Sequence, residues 1–390
     1  MNETRKFAVA SVVALSVAIL QTAIQGGKAA GTAVRAEGRA LAHGAPDTDR
    51  LSAAFAILER AVAQNEIPGA VALVAQHGKI AREQAFGLRD IENRIPFTTD
   101  TICWIASITK PVTTAVAMKL VEAGKLRLDD AVEKYLPEFQ AQRDKQGQHR
   151  PITIRQLMTH TTGLPENPPN RQDVFAPQWR DQTLAEAVPP IARAALLFAP
   201  GAKVQYSNTG YYVLGRVVEV VAGKPFADYA KEAILDPLGM TESFYTRFLS
   251  AAPAPRLASI YRQRKGERFL YFRYEPGMTM KNDTPDGGVF CTARDLLKFY
   301  QMFLDNDGRV LAKDSVAQML REQAPGRGLG WAREHGGFAH AGSSGAFAWG
   351  DPDTGVVGVI FIQFNDFDRV VRLQSQFVEA VRAAVGGVAK

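Results

Sequence analysis

Strand-like and helical segments occur near both ends of this chain, and a long stretch of loop-like composition separates them. The first end predicts an amphipathic helix followed by a β-hairpin, at residues 51–64, 70–76 and 79–86. The other end predicts three strands and a closing helix, at residues 338–342, 346–349, 356–364 and 368–385. The predicted strands lie far apart in the sequence, and the simplest way for them to share one core is to form a single sheet. We therefore predict an antiparallel sheet flanked by the N- and C-terminal helices.

The middle of the chain, residues 126–284, is rich in proline, glycine and loop residues, with helical patches predicted at residues 154–159, 211–221 and 226–234. We interpret it as an inserted, mostly helical domain. The two halves of an α/β sandwich domain, residues 51–125 and 285–388, then lie on either side of it, and the fold class is α/β in the α+β sense. A chain of 390 residues, 46% of them hydrophobic, is long enough to bury one large core or two connected ones.

The N-terminal segment has the layout of a secretory signal. Two basic residues precede an apolar run at residues 7–20, which is shorter than the ~20 residues of a membrane-spanning helix. Small residues follow, and cleavage after Ala29 or Ala33 fits the pattern. We therefore predict a signal peptide at 1–29, a linker at 30–50, and export to the periplasm or the medium. An uncleaved membrane anchor is the alternative.

Charge and cysteine content argue against several function classes. The formal net charge is +6, but basic residues alternate with acidic ones and form no stripe with aromatics, so no nucleic acid is expected as a partner. Cys103 and Cys291 are expected to be buried free thiols, although an oxidising compartment would allow a disulfide. The six histidines show no metal-binding spacing, so no metal or other cofactor is expected. The sequence leaves the oligomeric state open.

A serine and a lysine three residues apart begin the strongly apolar helix that is predicted within residues 101–124. Positions i and i+3 lie on the same helix face, so the Lys110 amine can reach the Ser107 hydroxyl. A serine hydroxyl becomes a good nucleophile when a nearby base takes its proton, and a lysine partly desolvated at a helix N-terminus lowers that cost. Alone the pair is a weak signal, because serine is also a common helix cap.

Two further short motifs complete the candidate site. Tyr206 and Asn208 lie in a polar loop before an apolar helix, where a tyrosine near a lysine can exchange a proton and an asparagine offers both a donor and an acceptor. His340 and Gly342 lie in a predicted strand, where the glycine would let a substrate approach the backbone. Taken singly, the first motif is also explained as a turn with a helix cap, and His340 as a core histidine.

In this order and at these separations, the three motifs resemble the serine β-lactamase and penicillin-binding-protein superfamily. The resemblance is closest to its class C-like branch of esterases and D-amino-acid peptidases. It covers roughly residues 51–385, and the stretches at 154–164, 200–201 and 287–296 agree with it. It implies the fold predicted above, with the active site between the sandwich and the helical insertion.

The resemblance implies a role for each catalytic residue. Ser107 would be the nucleophile, and Lys110 and Tyr206 would share the general-base and general-acid work. The backbone N–H groups of Ser107 and Ser343 would form the oxyanion hole, which suits a helix N-terminus facing a strand.

The predicted substrate-binding residues are Asn208, His340 and Gly342, of which Asn208 would position the substrate. His340 stands where true β-lactamases and many transpeptidases carry the lysine of Lys-Thr-Gly, which helps to hold a substrate carboxylate. His-x-Gly is the pattern of the esterase-like branch. A neutral histidine binds a carboxylate less well, so strong β-lactam hydrolysis is not expected.

The predicted function is that of a serine hydrolase that acts through an acyl-enzyme on a small-molecule ester or amide, with a short-chain carboxylesterase favoured. A D-Ala-D-Ala carboxypeptidase acting on a peptidoglycan-like substrate, a D-aminopeptidase and a weak β-lactamase are alternatives. A penicillin-binding sensor without turnover, or a pseudoenzyme, is the alternative from another class. The loops at 165–180 and 262–283 are expected to line the site and carry no readable substrate code.

Overall fold

The computed structural model describes residues 48–169, 171, 173, 175–334 and 337–386. The predicted signal peptide and nearly all of the linker lie outside the described residues, so export and cleavage stay predictions. Within the described part, no helix combines the length and the apolar character needed to cross a membrane.

Helices and strands follow one another along the chain in three groups. The first group contains α1 Thr48–Ala63, β1 Gly69–Gln76, β2 Lys79–Asp90, β3 Ile95–Pro96, β4 Cys103–Trp104 and α2 Thr109–Glu122. The middle group contains α3 Ile154–Thr159, α4 Pro177–Arg180, α5 Leu184–Ala187, α6 Pro189–Ala192, α7 Asn208–Ala222, α8 Phe226–Ala230, β5 Phe244–Tyr245, β6 Ile260–Arg264 and β7 Glu267–Phe272. The last group contains β8 Val289–Cys291, α9 Ala293–Asp305, α10 Lys313–Leu320, β9 Ala332–Glu334, β10 Gly337–Ala341, β11 Phe347–Asp351, β12 Val356–Phe361, β13 Phe364–Asn365 and α11 Phe367–Ala384.

One seven-stranded sheet joins the two ends of the chain, in the order β3-β2-β1-β12-β11-β10-β9. The N-terminal hairpin meets the C-terminal strands along β1 and β12, which pair antiparallel from Val71 opposite Phe361 to Gln76 opposite Val356. This arrangement confirms the predicted fold class, an antiparallel sheet built from both ends and flanked by the terminal helices.

Both faces of this sheet are covered, which explains why β1 is buried along its whole length. Successive residues of a strand point to opposite faces. One face of β1 packs with α1 and α11, where the rings of Phe55 and Phe377 meet edge to face at 5.3 Å. The other face joins the larger core that includes α2 and α9.

The middle of the chain holds helices, as expected, and also short strands that its sequence did not indicate. β6 and β7 form a hairpin inside the region predicted as a variable loop, and β6 pairs in parallel with β13. β5 pairs with β8, which also pairs with β4. The helix predicted at 226–234 begins as α8 and continues as a π-helical turn, Lys231–Leu235. The middle region is thus hydrogen-bonded to both ends, and the domain boundaries given above stay predictions.

The strand pair β4–β8 leads the chain into the candidate site. Cys103 and Cys291 lie opposite each other on these strands as buried free thiols. Ser107 follows a few residues after β4, at the entrance to α2.

Candidate active site

Ser107 lies in a tight turn between a strand and a helix. The preceding Ala106 has a φ of +47°, and Ala106–Ile108 form a single 3₁₀ turn that leads into α2. The N-cap of α2 is Ile108, and no side chain caps either helical segment. Ser107 is therefore neither the first residue of the α-helix nor its cap. Positive φ at a non-glycine residue costs about 1–3 kcal/mol, and such strain is found mainly at functional sites.

Lys110 lies in the first turn of α2 and is completely buried. Its Nζ donates to Ser107 Oγ at 3.1 Å and to the carbonyl oxygen of Asp286 at 2.8 Å. Burial lowers the pKa of Lys110 to about 7, although the Asp286 carboxylate opposes that change. The amine is therefore neutral in a large fraction of molecules at pH 7.

Tyr206 lies on another side of the Lys110 amine. Its ring centroid is 4.8 Å from Lys110 Nζ, and its ring lies against that of His160 at 4.5 Å. Burial raises the pKa of Tyr206 well above its usual value, and the nearby Ser107 hydroxyl offsets part of that rise. The Tyr206 hydroxyl has no hydrogen bond of good geometry to any described residue. Ser107, Lys110 and a protonated Tyr206 thus lie together.

The backbone N–H groups of Ser107 and Ser343 donate to no other described residue. Ser343 follows β10, and both of its neighbours contact the Ser107 turn. A Cβ added to Gly342 would lie 2.3 Å from the carbonyl oxygen of Ile105, and Ser344 Oγ donates to the backbone of β4 at 2.6 Å. Two N–H donors near one nucleophile suit an oxygen on which negative charge develops.

The structure gives its own reason for glycine at position 342, and substrate approach to its backbone stays a prediction. The sequence predicted that Gly342 lets a substrate approach the backbone. In the structure the close neighbour is the Ile105 carbonyl oxygen, so the missing side chain lets β10 approach the Ser107 turn. A larger residue would push apart the two segments that carry the free N–H groups.

His340 is buried and neutral. Burial, together with the Lys110 charge, lowers the pKa of His340 to about 3. Its Nδ1 lies 2.8 Å from the carbonyl oxygen of Ala341, so Nδ1 carries the hydrogen and Nε2 is an acceptor. Nε2 is buried and has no hydrogen-bond partner in the described chain. A carboxylate therefore meets no positive charge on this side chain.

Asn208 is the first residue of α7 and is held by the loop after α3. Its side-chain amide donates to Asn167 Oδ1 at 2.8 Å, and its backbone N–H donates to the Glu166 carbonyl oxygen at 2.7 Å. His160 ends α3 in the left-handed conformation and accepts from the backbone N–H of Ser207 at 3.1 Å. These contacts fix the segment that carries Tyr206, and substrate positioning by Asn208 stays a prediction.

Three buried charges near the site carried no recognisable signal in the sequence. Arg171 Nη1 donates to Asp286 Oδ2 at 2.8 Å, and the two side chains are 9% and 3% exposed. Arg327 is 6% exposed, and among the described residues the Glu334 carboxylate acts on its charge without forming an ion pair. The Arg327 charge nevertheless lowers the pKa of His340 and opposes the rise at Tyr206. These arginines come from loops, where no periodic pattern indicates which way a side chain points.

Aromatic side chains form a wall beside the Ser107 turn. Trp104 of β4 meets Phe175 edge to face at 5.0 Å, and Phe175 stacks on Phe272 of β7 at 3.8 Å between ring centroids. Tyr271 lies 6.0 Å from Phe175. Because Phe175, Tyr271 and Phe272 are half-buried, the wall presents apolar surface close to the candidate nucleophile.

Comparison with known proteins identifies the family. The family model Beta-lactamase matches residues 54–381. Esterase EstB of Burkholderia gladioli is 33% identical over 312 residues, which cover 71% of this chain and 76% of EstB. Penicillin-binding protein 4 of Amycolatopsis lactamdurans is 30% identical over 327 residues, which cover 76% of this chain and 81% of that protein.

Among solved structures, EstCE1, a hydrolase with promiscuous acyltransferase activity, superposes with a TM-score of 0.74 at 25% identity and covers 86% of this chain and 99% of its own. The fold and the family resemblance predicted from the sequence are both confirmed. The chain belongs to the Beta-lactamase family and is a serine hydrolase.

Proposed function

We propose that this protein is a carboxylesterase that forms an acyl-enzyme at Ser107, with neutral Lys110 as the base. The observation that carries the proposal is the 3.1 Å contact between Lys110 Nζ and Ser107 Oγ in a site where the lysine is completely buried. With a pKa of about 7, Lys110 has a lone pair available near neutral pH. That lone pair accepts the serine proton over the same distance.

In the proposed acylation, Ser107 Oγ attacks the ester carbonyl carbon while its proton passes to Lys110 Nζ. The N–H groups of Ser107 and Ser343 stabilise the negative charge on the carbonyl oxygen. Tyr206, which burial keeps protonated, gives its proton to the leaving alkoxide as the C–O bond breaks, and the Lys110 ammonium returns a proton to Tyr206. In deacylation water attacks the acyl-enzyme, and the same groups pass protons in the reverse direction.

Two features support an ester as the substrate. The aromatic wall of Trp104, Phe175 and Phe272 offers apolar surface for an acyl chain. Neutral His340 gives no ammonium with which to hold a β-lactam or peptide carboxylate. The similarity to esterase EstB over most of both chains agrees with this preference.

One observation favours a second candidate function, a D-Ala-D-Ala carboxypeptidase. Arg327 is 6% exposed, its side chain has no hydrogen bond or ion pair with a described residue, and its charge acts on the pKa of both Tyr206 and His340. A substrate carboxylate near the leaving group would pair with this cation. The similarity to penicillin-binding protein 4 agrees with this alternative.

Labelling with a p-nitrophenyl phosphonate followed by mass spectrometry tests the proposal. Ser107 is expected to carry the label, and Ser107→Ala should lose both the label and turnover, by ~10⁶ in kcat, while keeping its melting temperature. A label on another serine would contradict the assignment.

Comparing p-nitrophenyl esters of increasing chain length with nitrocefin and a D-Ala-D-Ala peptide separates the candidate functions. A burst of one equivalent without turnover would indicate a sensor.

A further inference from the structure

The ion pair between Arg171 and Asp286 lies directly beside the Lys110 amine. Arg171 Nη1 donates to Asp286 Oδ2 at 2.8 Å, and the carbonyl oxygen of the same aspartate accepts from Lys110 Nζ at 2.8 Å. Both charged side chains are almost completely buried. Asp286 therefore contacts the proposed base through its backbone and brings a carboxylate close to it through its side chain.

Side chains from the start of α2 hold the segment that carries Asp286. Thr109 Oγ1 accepts from the backbone N–H of Val289 at 3.0 Å, and Thr113 Oγ1 donates to the Pro285 carbonyl oxygen at 2.6 Å. Together with the lysine, these residues make three contacts between one helical turn and one short segment. The distance between Asp286 and the lysine is therefore fixed by the fold.

Arg171 comes from a different part of the chain, the loop after α3. Its guanidinium lies 5.8 Å from the ring centroid of Trp179 and 5.3 Å from that of Tyr212. Trp179 Nε1 in turn donates to the Tyr212 hydroxyl at 2.8 Å. Aromatic rings from α4 and α7 thus hold the cation against Asp286, as expected for a cation–π arrangement.

The two charges act on Lys110 in opposite directions. Burial has the largest effect and lowers the pKa of Lys110, Asp286 raises it, and Arg171 lowers it. The charged and titratable groups that face the lysine from the surrounding elements are Asp286, Arg171, Glu166, Arg327, His160, His340, Tyr206 and Tyr211. Among the charged groups, Asp286 and Arg171 act most strongly, and they are paired with each other.

One oxygen of Asp286 has no partner. Oδ1 is buried and accepts no hydrogen bond from the described residues. An incompletely compensated buried carboxylate is costly and gains from any positive charge that comes near. When Ser107 gives its proton to Lys110, an ammonium forms beside this carboxylate.

We propose that the Arg171–Asp286 pair positions and supports the proton transfer from Ser107: Arg171 balances Asp286 in the resting enzyme, and Asp286 stabilises the Lys110 ammonium that forms during acylation. The inference rests on the proposed function, in which Lys110 is the base. Arg171 and Asp286 act through Lys110 and are positioning residues.

The test measures the rate at which a p-nitrophenyl phosphonate labels Ser107 in the full chain as a function of pH. This rate reports activation of the nucleophile whatever the natural substrate is. In the parent it should rise around pH 7 as Lys110 loses its proton. Arg171→Gln leaves the Asp286 carboxylate without its counter-charge. The midpoint of the labelling rate against pH should therefore rise by about one pH unit or more. Asp286→Asn leaves the Arg171 cation without its counter-charge and should lower the midpoint by a similar amount.

Three further variants separate charge from structure. Arg171→Lys keeps the cation and should have a midpoint close to that of the parent. The double variant Arg171→Gln/Asp286→Asn removes both charges, whose effects on Lys110 are opposite, so its midpoint should stay near that of the parent. This variant leaves neither charge of the pair buried alone and can be measured even if a single variant fails to fold. Arg273→Gln breaks a more exposed arginine–aspartate pair, Arg273 with Asp90 at 2.8 Å, which is not among the charges that act most strongly on Lys110. It should lower the melting temperature without moving the midpoint.

Midpoints that do not move, or that move in the same direction in both single variants, would overturn the proposal and leave the pair a structural anchor. If the single variants do not fold, a midpoint that moves by about one pH unit or more in Arg171→Lys, which keeps the cation, would overturn it. The proposed function would survive either result if the phosphonate labels Ser107 and Lys110→Ala abolishes that labelling. Full labelling of Lys110→Ala would instead contradict the proposed function itself.

Discussion

The two sides of Ser107 differ in how completely their polar groups are satisfied. On the α2 side, the Lys110 amine has two hydrogen-bond partners and a buried ion pair beside it at Asp286. On the β10 side, His340 is neutral and its Nε2 has no partner in the described chain. The N–H of Ser343 is also free among the described residues. The Lys110 amine is satisfied without a ligand, whereas His340 Nε2 and the Ser343 N–H are open to a bound substrate.

This difference follows from the chemistry proposed for each side. Proton transfer needs groups at fixed distances with suitable pKa values, whereas binding needs polar groups that are still open. Leaving a buried polar group without a partner costs about 1–3 kcal/mol, and a substrate that supplies the partner regains that energy. Substitutions on the α2 side should therefore change the rate and its pH dependence, and those on the β10 side should change substrate choice.

The largest effects are expected on the α2 side. Lys110→Ala and Tyr206→Phe should each lower kcat/KM by at least ~10²-fold, because one removes the base and the other the proton donor. The double variant should be little worse than the poorer single, since residues that act as one unit are strongly non-additive. Steady-state kinetics on p-nitrophenyl butyrate check this. Losses that multiply would show that the two groups act independently.

Substrate preference tests the β10 side. The parent should hydrolyse p-nitrophenyl butyrate faster than nitrocefin by roughly 10- to 150-fold, because a lost charged contact is worth about 1.5–3 kcal/mol. His340→Gln, also neutral, should keep this ratio. Lowering the pH from about 8 to 6 should not favour nitrocefin, because the pKa of His340 is about 3. Faster nitrocefin turnover would indicate that Arg327 holds the carboxylate instead.

Gly342→Ala should affect the geometry between the two sides. Its Cβ would lie 2.3 Å from the Ile105 carbonyl oxygen, so the backbone near Ser343 has to shift. Displacing an oxyanion donor should lower kcat by roughly 10- to 100-fold with little change in KM. Kinetics and thermal melting measure both effects. Gly223→Ala, where the strain comes from a φ of +68° and no neighbour is close, is the control for a glycine substitution that lowers stability without moving the Ser343 segment. Unchanged kcat would mean that the N–H of Ser343 does not stabilise the oxyanion.

The smallest expected effect is the change of kcat/KM with pH in the unmodified protein. It shows which side of Ser107 carries the group that titrates. The value of kcat/KM should rise about tenfold from pH 6 to 8, because the protonated form of Lys110, dominant below its pKa of about 7, cannot accept the serine proton. His340 stays neutral over this range, so His340→Gln should leave the midpoint in place. A midpoint that moved in His340→Gln would assign the titration to the β10 side.

The sequence predicted the parts of the fold that have clear apolar patterns. The hairpin β1–β2 follows from two apolar runs joined by a turn, and the final helix from apolar periodicity. The structure has both within a few residues of the predicted bounds. The hairpin β6–β7 was missed because it lies in a region of loop-like composition and gains a partner strand, β13, from far along the chain. The 3₁₀ turn at Ser107 was missed because the positive φ of Ala106 has no signal in its residue type.

The spacing of Ser107 and Lys110 is a local property, so the sequence by itself determined that the lysine can reach the serine. The motif order determined the family, and apolar patterns determined that the two ends share one sheet. Only the tertiary structure decided that burial brings the pKa of Lys110 to about 7, that Arg171 pairs with Asp286 behind it, and that the charge of buried Arg327 acts on Tyr206 and His340. Burial and the distance between charges depend on segments that meet only in the folded chain, and no pattern within one segment encodes them.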